Sequence, residues 1–239
     1  MILEVCCTSV ESSVTAEAHG ADRIELCMHL GSGGLTPSVG LARHVVDETE
    51  IPVFVLIRPR EGNFVYSKHE KAVMLYDIAA LLDVGVHGIV AGALNSDGTV
   101  DLAFTEAVRR ATEGVPMTFH RAFDECTQPG AAATVLHNMG VERILTSGQS
   151  LRAVDGIATY RALMQLEKCP TLLAGGGVSA DAVSQLAACG ITEVHFSARK
   201  AVHGSIGRGI FDPAYETVDP EIVSAMRAAL EAVNRHQTT

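Results

Sequence analysis

A parallel (β/α)8 TIM barrel forming a single domain over residues 1–239 is the fold that three features of the sequence predict. Short apolar or β-branched runs alternate with amphipathic stretches through the whole chain. One phrase, a helix ending at glycine with a strand close behind, recurs at Gly20-Ala21-Asp22-Arg23-Ile24, Gly85-Val86-His87-Gly88-Ile89, Gly140-Val141-Glu142-Arg143-Ile144 and Gly190-Ile191-Thr192-Glu193-Val194. Glycine past the last helical turn takes the left-handed conformation that ends a helix and sends the chain back. Third, units of roughly 30 residues divide the 239 residues into eight βα repeats, the number that closes a barrel. An open doubly wound sheet is the competing architecture.

The expected strands are Ile2–Cys7, Arg23–Met28, Val53–Arg58, Gly88–Ala93, Pro116–His120, Arg143–Thr146, Thr171–Ala174 and Glu193–Ser197. Helices are expected over Ser9–His19, Ser38–Thr49, Ser67–Val84, Asp101–Glu113, Gly130–Met139, Leu151–Glu167 and Ser179–Cys189, with a last one from about Pro220 to Arg235. Their apolar residues recur at three and four, as a helix burying one face requires. Ser67, Asp101 and Ser179 stand where a side chain can cap the first turn. After the eighth strand, residues 199–219 are glycine-rich and read as irregular.

A net charge of -10 argues against a nucleic-acid partner, because binding a phosphate backbone needs a basic patch. No apolar run reaches the roughly 18 residues of a membrane span, and the N-terminus lacks the cationic start of a signal peptide. The six cysteines are scattered without a Cys-x-x-Cys pair, so reduced thiols in the cytoplasm are expected rather than a disulfide framework. A homo-oligomer is the expected assembly.

Side chains of a strand alternate between its faces, and this parity gathers the chemistry. Glu4 with Cys6, Glu25 with Cys27, Arg58 with Arg60, Thr118 with His120, and Glu193 with His195 and Ser197 each share a face. The opposite parity is mostly apolar (Leu3, Val5, Ile24, Leu26, Val194, Phe196) and suits the helical layer, so the polar set is expected to point inward. The stretch Thr118-Phe119-His120-Arg121-Ala122-Phe123-Asp124 ends the fifth strand in ionisable groups, where barrels place their reactions.

Glu4, Glu25, His120 and His195 are therefore candidate acid/base residues, two carboxylates on neighbouring strands being able to divide the roles. Glu4 and Glu25 also suit a structural ion-pair network with Arg58 or Arg121, and a histidine at a strand end also suits a purely structural role. Glu4, Glu25, Arg58, His120, Arg121 and His195 are expected to converge at the carboxyl end of the strands. Gly175, Gly176 and Gly177 after strand seven could cradle an anion on bare amides ahead of the next helix. Ser197, Thr146, Ser147, Arg58, Arg60 and Arg121 would add donors to a small anionic or phosphorylated ligand. Cys6 and Cys27, on strands about 4.8 Å apart, could approach closely enough to share a soft ion such as Cu(I), or could merely fill the interior.

Leu3-Glu4-Val5-Cys6, Gly20-Ala21-Asp22-Arg23-Ile24-Glu25-Leu26-Cys27, Gly33-Gly34-Leu35-Thr36-Pro37-Ser38 and Ile57-Arg58-Pro59-Arg60 form one set of motifs. With them come the His120 heptad, Arg143-Ile144-Leu145-Thr146-Ser147-Gly148 and Ala174-Gly175-Gly176-Gly177. By these motifs, from residue 3 to about 199, the chain resembles the CutC copper-homeostasis family. The resemblance implies a cytoplasmic (β/α)8 protein linked to copper tolerance or Cu(I) binding, its metal thiols falling on Cys6 and Cys27. Two functions are thus expected: a copper-homeostasis protein holding Cu(I) on those cysteines, or a barrel enzyme working by acid/base chemistry on a small anionic substrate.

Overall fold

The computed structural model describes residues 1–112, 114–203 and 214–237. Eight parallel strands close into one barrel in sequence order: β1 (Ile2–Cys7), β2 (Arg23–Leu26), β3 (Val53–Leu56), β4 (Gly88–Ala91), β5 (Met117–Phe119), β6 (Arg143–Thr146), β7 (Thr171–Ala174) and β8 (Glu193–Phe196), with β8 pairing back onto β1. The helices are α1 (Val10–Ala18), α2 (Val39–Glu48), α3 (Lys68–Leu82), α4 (Leu102–Ala111), α5 (Pro129–Asn138), α6 (Ile157–Met164), α7 (Val183–Ala188) and α8 (Pro220–Gln237). Among the described residues, no helix is long and apolar enough to cross a membrane.

The repeated glycine acts as the sequence indicates: Gly20, Gly85, Gly140 and Gly190 all have positive φ, between 74° and 102°. Ser67 closes a capping box with Glu70, and Asp101 accepts from the Phe104 amide. Ser179 departs from expectation. It makes no capping bond and precedes a short 3-10 turn, Ala180–Ala182, that leads into the six-residue α7.

The segment read as irregular is largely an antiparallel hairpin, β9 (Arg199–His203) with β10 (Ala214–Val218). Residues 204–213 of that segment lie outside the described residues. Glycine masked the β-branched and alternating residues on either side of it. Two ion pairs fix the hairpin, Arg199 with Glu216 and Lys200 with Asp219.

Parity separates two apolar clusters. Leu3, Val5, Ile24, Leu26, Val194 and Phe196 belong to the large core between strands and helices. Cys6, Cys27, Phe54, Leu56 and Val90 form a small cluster inside the barrel. Each buried aliphatic side chain of the outer core contributes about 1.5–3 kcal/mol, and that layer leaves the barrel interior free to carry charge.

Candidate functional site

The lowest layer of the interior comes from strand starts. Arg23, Arg143 and Glu193 are the first residues of β2, β6 and β8. Arg23 Nη2 donates to Glu193 Oε2 at 2.6 Å, Arg143 Nε donates to the same oxygen at 3.1 Å, and Arg23 Nε donates to Glu4. Both guanidinium groups stand 5.0 Å from the Phe54 ring, and a Cβ on Gly88 would come within 2.6 Å of that ring. Burial pushes the Glu4 carboxyl upward, but Arg23 and His195 together outweigh it and hold its pKa at about 2.

Glu4 therefore lies beneath the site and is absent from the pocket wall, which corrects its placement at the mouth. It sits one pleat below Cys6 and opposite Arg23, which shares the parity of Glu25 and is its counter-ion. Neither Arg58 nor Arg121 neutralises it; both are bound to other groups, below.

On this layer rests a tight group. His195 Nδ1 lies 2.7 Å from Glu4 Oε1, and its Nε2 faces Glu25 Oε2 at 3.7 Å. Cys6 Sγ and Cys27 Sγ are 3.3 Å apart, and all six cysteines are free. The mutual hydrogen bond, burial and the Glu25 charge push the Cys6 thiol well above its usual range. Burial raises the Glu25 carboxyl, offset in part by His195; for His195, burial is overcome by Glu25 and Glu4, so its pKa is raised.

Above these groups, at the carboxyl ends of the strands, opens a pocket of about 910 Å³. Cys6, Cys27, Glu25, His195, Arg58, His120, Arg121, Gly176, Gly177 and Ser197 all reach it, as expected from sequence. His120 is 4% exposed; its Nδ1 accepts the Ala122 amide at 3.1 Å, which puts the ring proton on Nε2. That Nε2 has no hydrogen-bond partner among the described residues. Burial first, and Arg58 second, lower the His120 pKa to about 3.

Because the folded pKa lies below the ordinary 6.5, the unfolded chain takes up a proton that the folded one refuses. The stability tied to neutral His120 is complete above pH 6.5 and falls as pH drops toward 3. Between pH 7 and pH 5, wild type should lose about 2 kcal/mol more than His120→Asn. Urea midpoints at the two pH values check this, and equal losses would contradict it.

Four expected ligand groups have other work. Arg60 donates to Glu70 Oε1 at 2.5 Å and to backbone carbonyls of its own loop, outside the pocket. Inward parity ended with β3 at Leu56, so the alternation carried no information there. Thr146 and Ser147 are fully buried; the Thr146 hydroxyl and the Ser147 amide donate to Asp124 at 2.5 and 3.0 Å. Gly175 lies under Leu145 and His195, its amide donating to the Thr146 carbonyl. The helix behind the glycines is too short to supply an anion site of its own.

Arg58 lines the pocket, yet its guanidinium donates to the carbonyls of Ser32, Gly34 and Gly62, and so it shapes the wall. Arg121 is freer. Asp124 holds its Nε at 2.8 Å and Ser147 Oγ accepts from its Nη2 at 3.1 Å, against the face left open by Gly176. The inward parity of Arg23 and Arg143, and the Arg121-x-x-Asp124 spacing, were the signals available for these supporting residues.

The family model of CutC matches residues 1–200 of this chain. A CutC family protein of Serratia proteamaculans (strain 568) is 41% identical over 243 residues, covering 97% of this chain and 96% of its own. One from Enterobacter sp. (strain 638) is 46% identical over 199 residues, 83% of this chain and 81% of that protein. The solved structure of a protein assigned to copper homeostasis, CutC from Streptococcus agalactiae, superposes with a TM-score of 0.77 at 30% identity, over 82% of this chain and 97% of that one. Thiamine phosphate pyrophosphorylase from Pyrococcus furiosus (TM-score 0.62, 14% identity, 97% of this chain and 96% of that one) shares the fold alone. With the family match spanning most of the barrel, and relatives aligned nearly end to end, the chain belongs to the CutC family.

Proposed function

We propose that this chain binds Cu(I) as cargo on Cys6 and Cys27 in the cytoplasm and so serves copper homeostasis, the one part of this reading that the name of its Streptococcus agalactiae relative carries. The carrying observation is the pair of free thiols 3.3 Å apart at the bottom of an open pocket. Two soft sulfurs are the donors that suit a monovalent copper ion. Two thiolates alone hold Cu(I) near linearly, which with metal–sulfur bonds of about 2.3 Å sets the sulfurs about 4.6 Å apart. The two side chains must therefore swing apart by roughly an ångström from their 3.3 Å contact. Binding replaces the thiol protons, so the raised Cys6 pKa makes uptake release protons.

Titration with Cu(I) against a chromophoric chelator tests the proposal. Wild type should withdraw one equivalent, and the Cys6→Ser, Cys27→Ser double variant none. Equal withdrawal by both would end the cysteine assignment.

A second reading rests on the size of the pocket. At about 910 Å³ it is far larger than one ion needs and falls within the range of small-molecule sites. The unpartnered His120 Nε2 and the Arg121 guanidinium offer donors to a small anionic ligand, such as a phosphorylated one, held for acid/base chemistry at Glu25 and His195. Inorganic phosphate and sugar phosphates should raise the melting temperature of wild type more than that of Arg121→Met; no shift in either would remove this reading.

A further inference from the structure

Cys6 Sγ, a Glu25 carboxylate oxygen and a His195 ring nitrogen all lie within 4.8 Å of one another. An ion at the centre of such a triangle is at most about 2.8 Å from each, so side-chain shifts below an ångström give bonds of about 2.0–2.3 Å. The His195 Nε2 to Glu25 Oε2 separation of 3.7 Å is already near the roughly 3.3 Å edge of a tetrahedral N/O pair.

Two further observations favour a cation here. Glu25 is 4% exposed, and among the described residues the single basic group within 4 Å of its carboxylate is His195. A carboxylate buried at that depth is costly unless paired, and a divalent ion between Glu25 and His195 would neutralise it more fully than the imidazole at 3.7 Å does. The orientation of His195 is the second. Glu4, fixed by Arg23, holds Nδ1 at 2.7 Å and leaves Nε2 turned to Glu25, the carboxylate–histidine arrangement that prepares an imidazole to ligate a metal.

We infer that Cys6, Glu25 and His195 form a second, overlapping metal site for a borderline divalent ion of the Zn2+ class, which shares Cys6 with the copper pair and leaves an open coordination position toward the pocket. The mixed sulfur, oxygen and nitrogen set is of the kind Zn2+ accepts, whereas the Cys6 and Cys27 sulfurs alone favour a monovalent soft ion. Three protein ligands with one open position are the pattern of zinc sites that hold water or substrate. One thiolate, one carboxylate and neutral His195 bring the charge of the divalent ion to zero, with the Glu4–Arg23 pair outside it. Because Cys6 belongs to both sets, the two ions exclude one another. The inference rests on the reading that this barrel floor takes metal, but its ligands beyond Cys6 are its own.

The test is titration of the apoprotein with Zn2+ against a chromophoric chelator, and with Co2+ as a spectroscopic stand-in whose thiolate charge-transfer band reports sulfur ligation. Wild type should bind one Zn2+, and Co2+ should show the thiolate band. Cys6→Ser should lose the band and also Cu(I). Cys27→Ser should lose Cu(I) but keep the Co2+ band. Glu25→Gln, a near-isosteric change that removes a buried charge, should keep Cu(I) and weaken Zn2+ at least about 100-fold, the upper end of what loss of an outer supporting group costs. Circular dichroism confirms that each variant is folded. Loss of the Co2+ band in Cys27→Ser, or Zn2+ affinity unchanged in Glu25→Gln, would overturn the site. Zn2+ binding of this pattern without any Cu(I) binding would retain it and reject the copper proposal instead.

Discussion

Arg23→Met should cost about 3–5 kcal/mol of stability, the range for removing one partner of a buried ion pair. Arg23 is 6% exposed and Glu4 1%, and the same guanidinium also serves Glu193. Methionine fills similar space beside Phe54 but takes the guanidinium from two carboxylates, leaving, among the described residues, Arg143 beside Glu193 and His195 beside Glu4. The midpoint of urea unfolding measures the loss. Adding Glu4→Gln to Arg23→Met should recover part of it, since Glu193 keeps Arg143 as its partner and the carboxylate that lost its guanidinium is removed. A cost below about 1 kcal/mol for the single change would place the network among ordinary surface pairs.

A somewhat smaller loss is expected from Gly156→Ala. A Cβ at Gly156 would stand 2.1 Å from the Ser147 carbonyl oxygen and 2.7 Å from the Gly148 Cα, both backbone atoms with no rotamer to yield. The segment Thr146–Gln149 must then lift away from Asp124, which accepts from the Thr146 hydroxyl and from the Ser147 and Gln149 amides. Overpacking of this kind costs about 1–3 kcal/mol, and the loosened Asp124 bonds push the total toward the top of that range. Arg121, tied to Asp124 and Ser147, should lose its position at the pocket edge as well. Gly130→Ala is the control. Nothing lies within 4 Å of its Cβ, and the site is in α5, so alanine should be neutral or stabilise by up to about 1 kcal/mol.

The strands and their inward faces were legible because a barrel turns parity into location. Glu4, Cys6, Glu25, Cys27 and His195 all lie inside, and the apolar parity packs outward. Height along the barrel was not legible, since alternation says which face and not which layer. Alternation thus puts Glu4 at the mouth although it pairs below with Arg23, and carries Arg60 past the end of β3 into a loop with rules of its own. Arg23 was within reach of the same argument, being two residues before Glu25. The hairpin wall, where Arg199, Ala201 and Glu216 meet the pocket, was hidden because its two strands pair across a long glycine-rich connection.

The β1–β8 seam also sets an order of events. Glu4 and His195 are bonded across 191 residues of sequence, whereas Cys6 and Cys27 are 21 apart on neighbouring strands. Closing the longer loop is entropically dearer and waits for the intervening units to compact. Both thiols lie within the first 27 residues of the chain, whereas the imidazole that joins them comes only with β8, at residue 195. The assembled group of Cys6, Glu25 and His195 is in that sense a marker of finished folding: a chain stalled before residue 193 can offer sulfur, but not the mixed cluster.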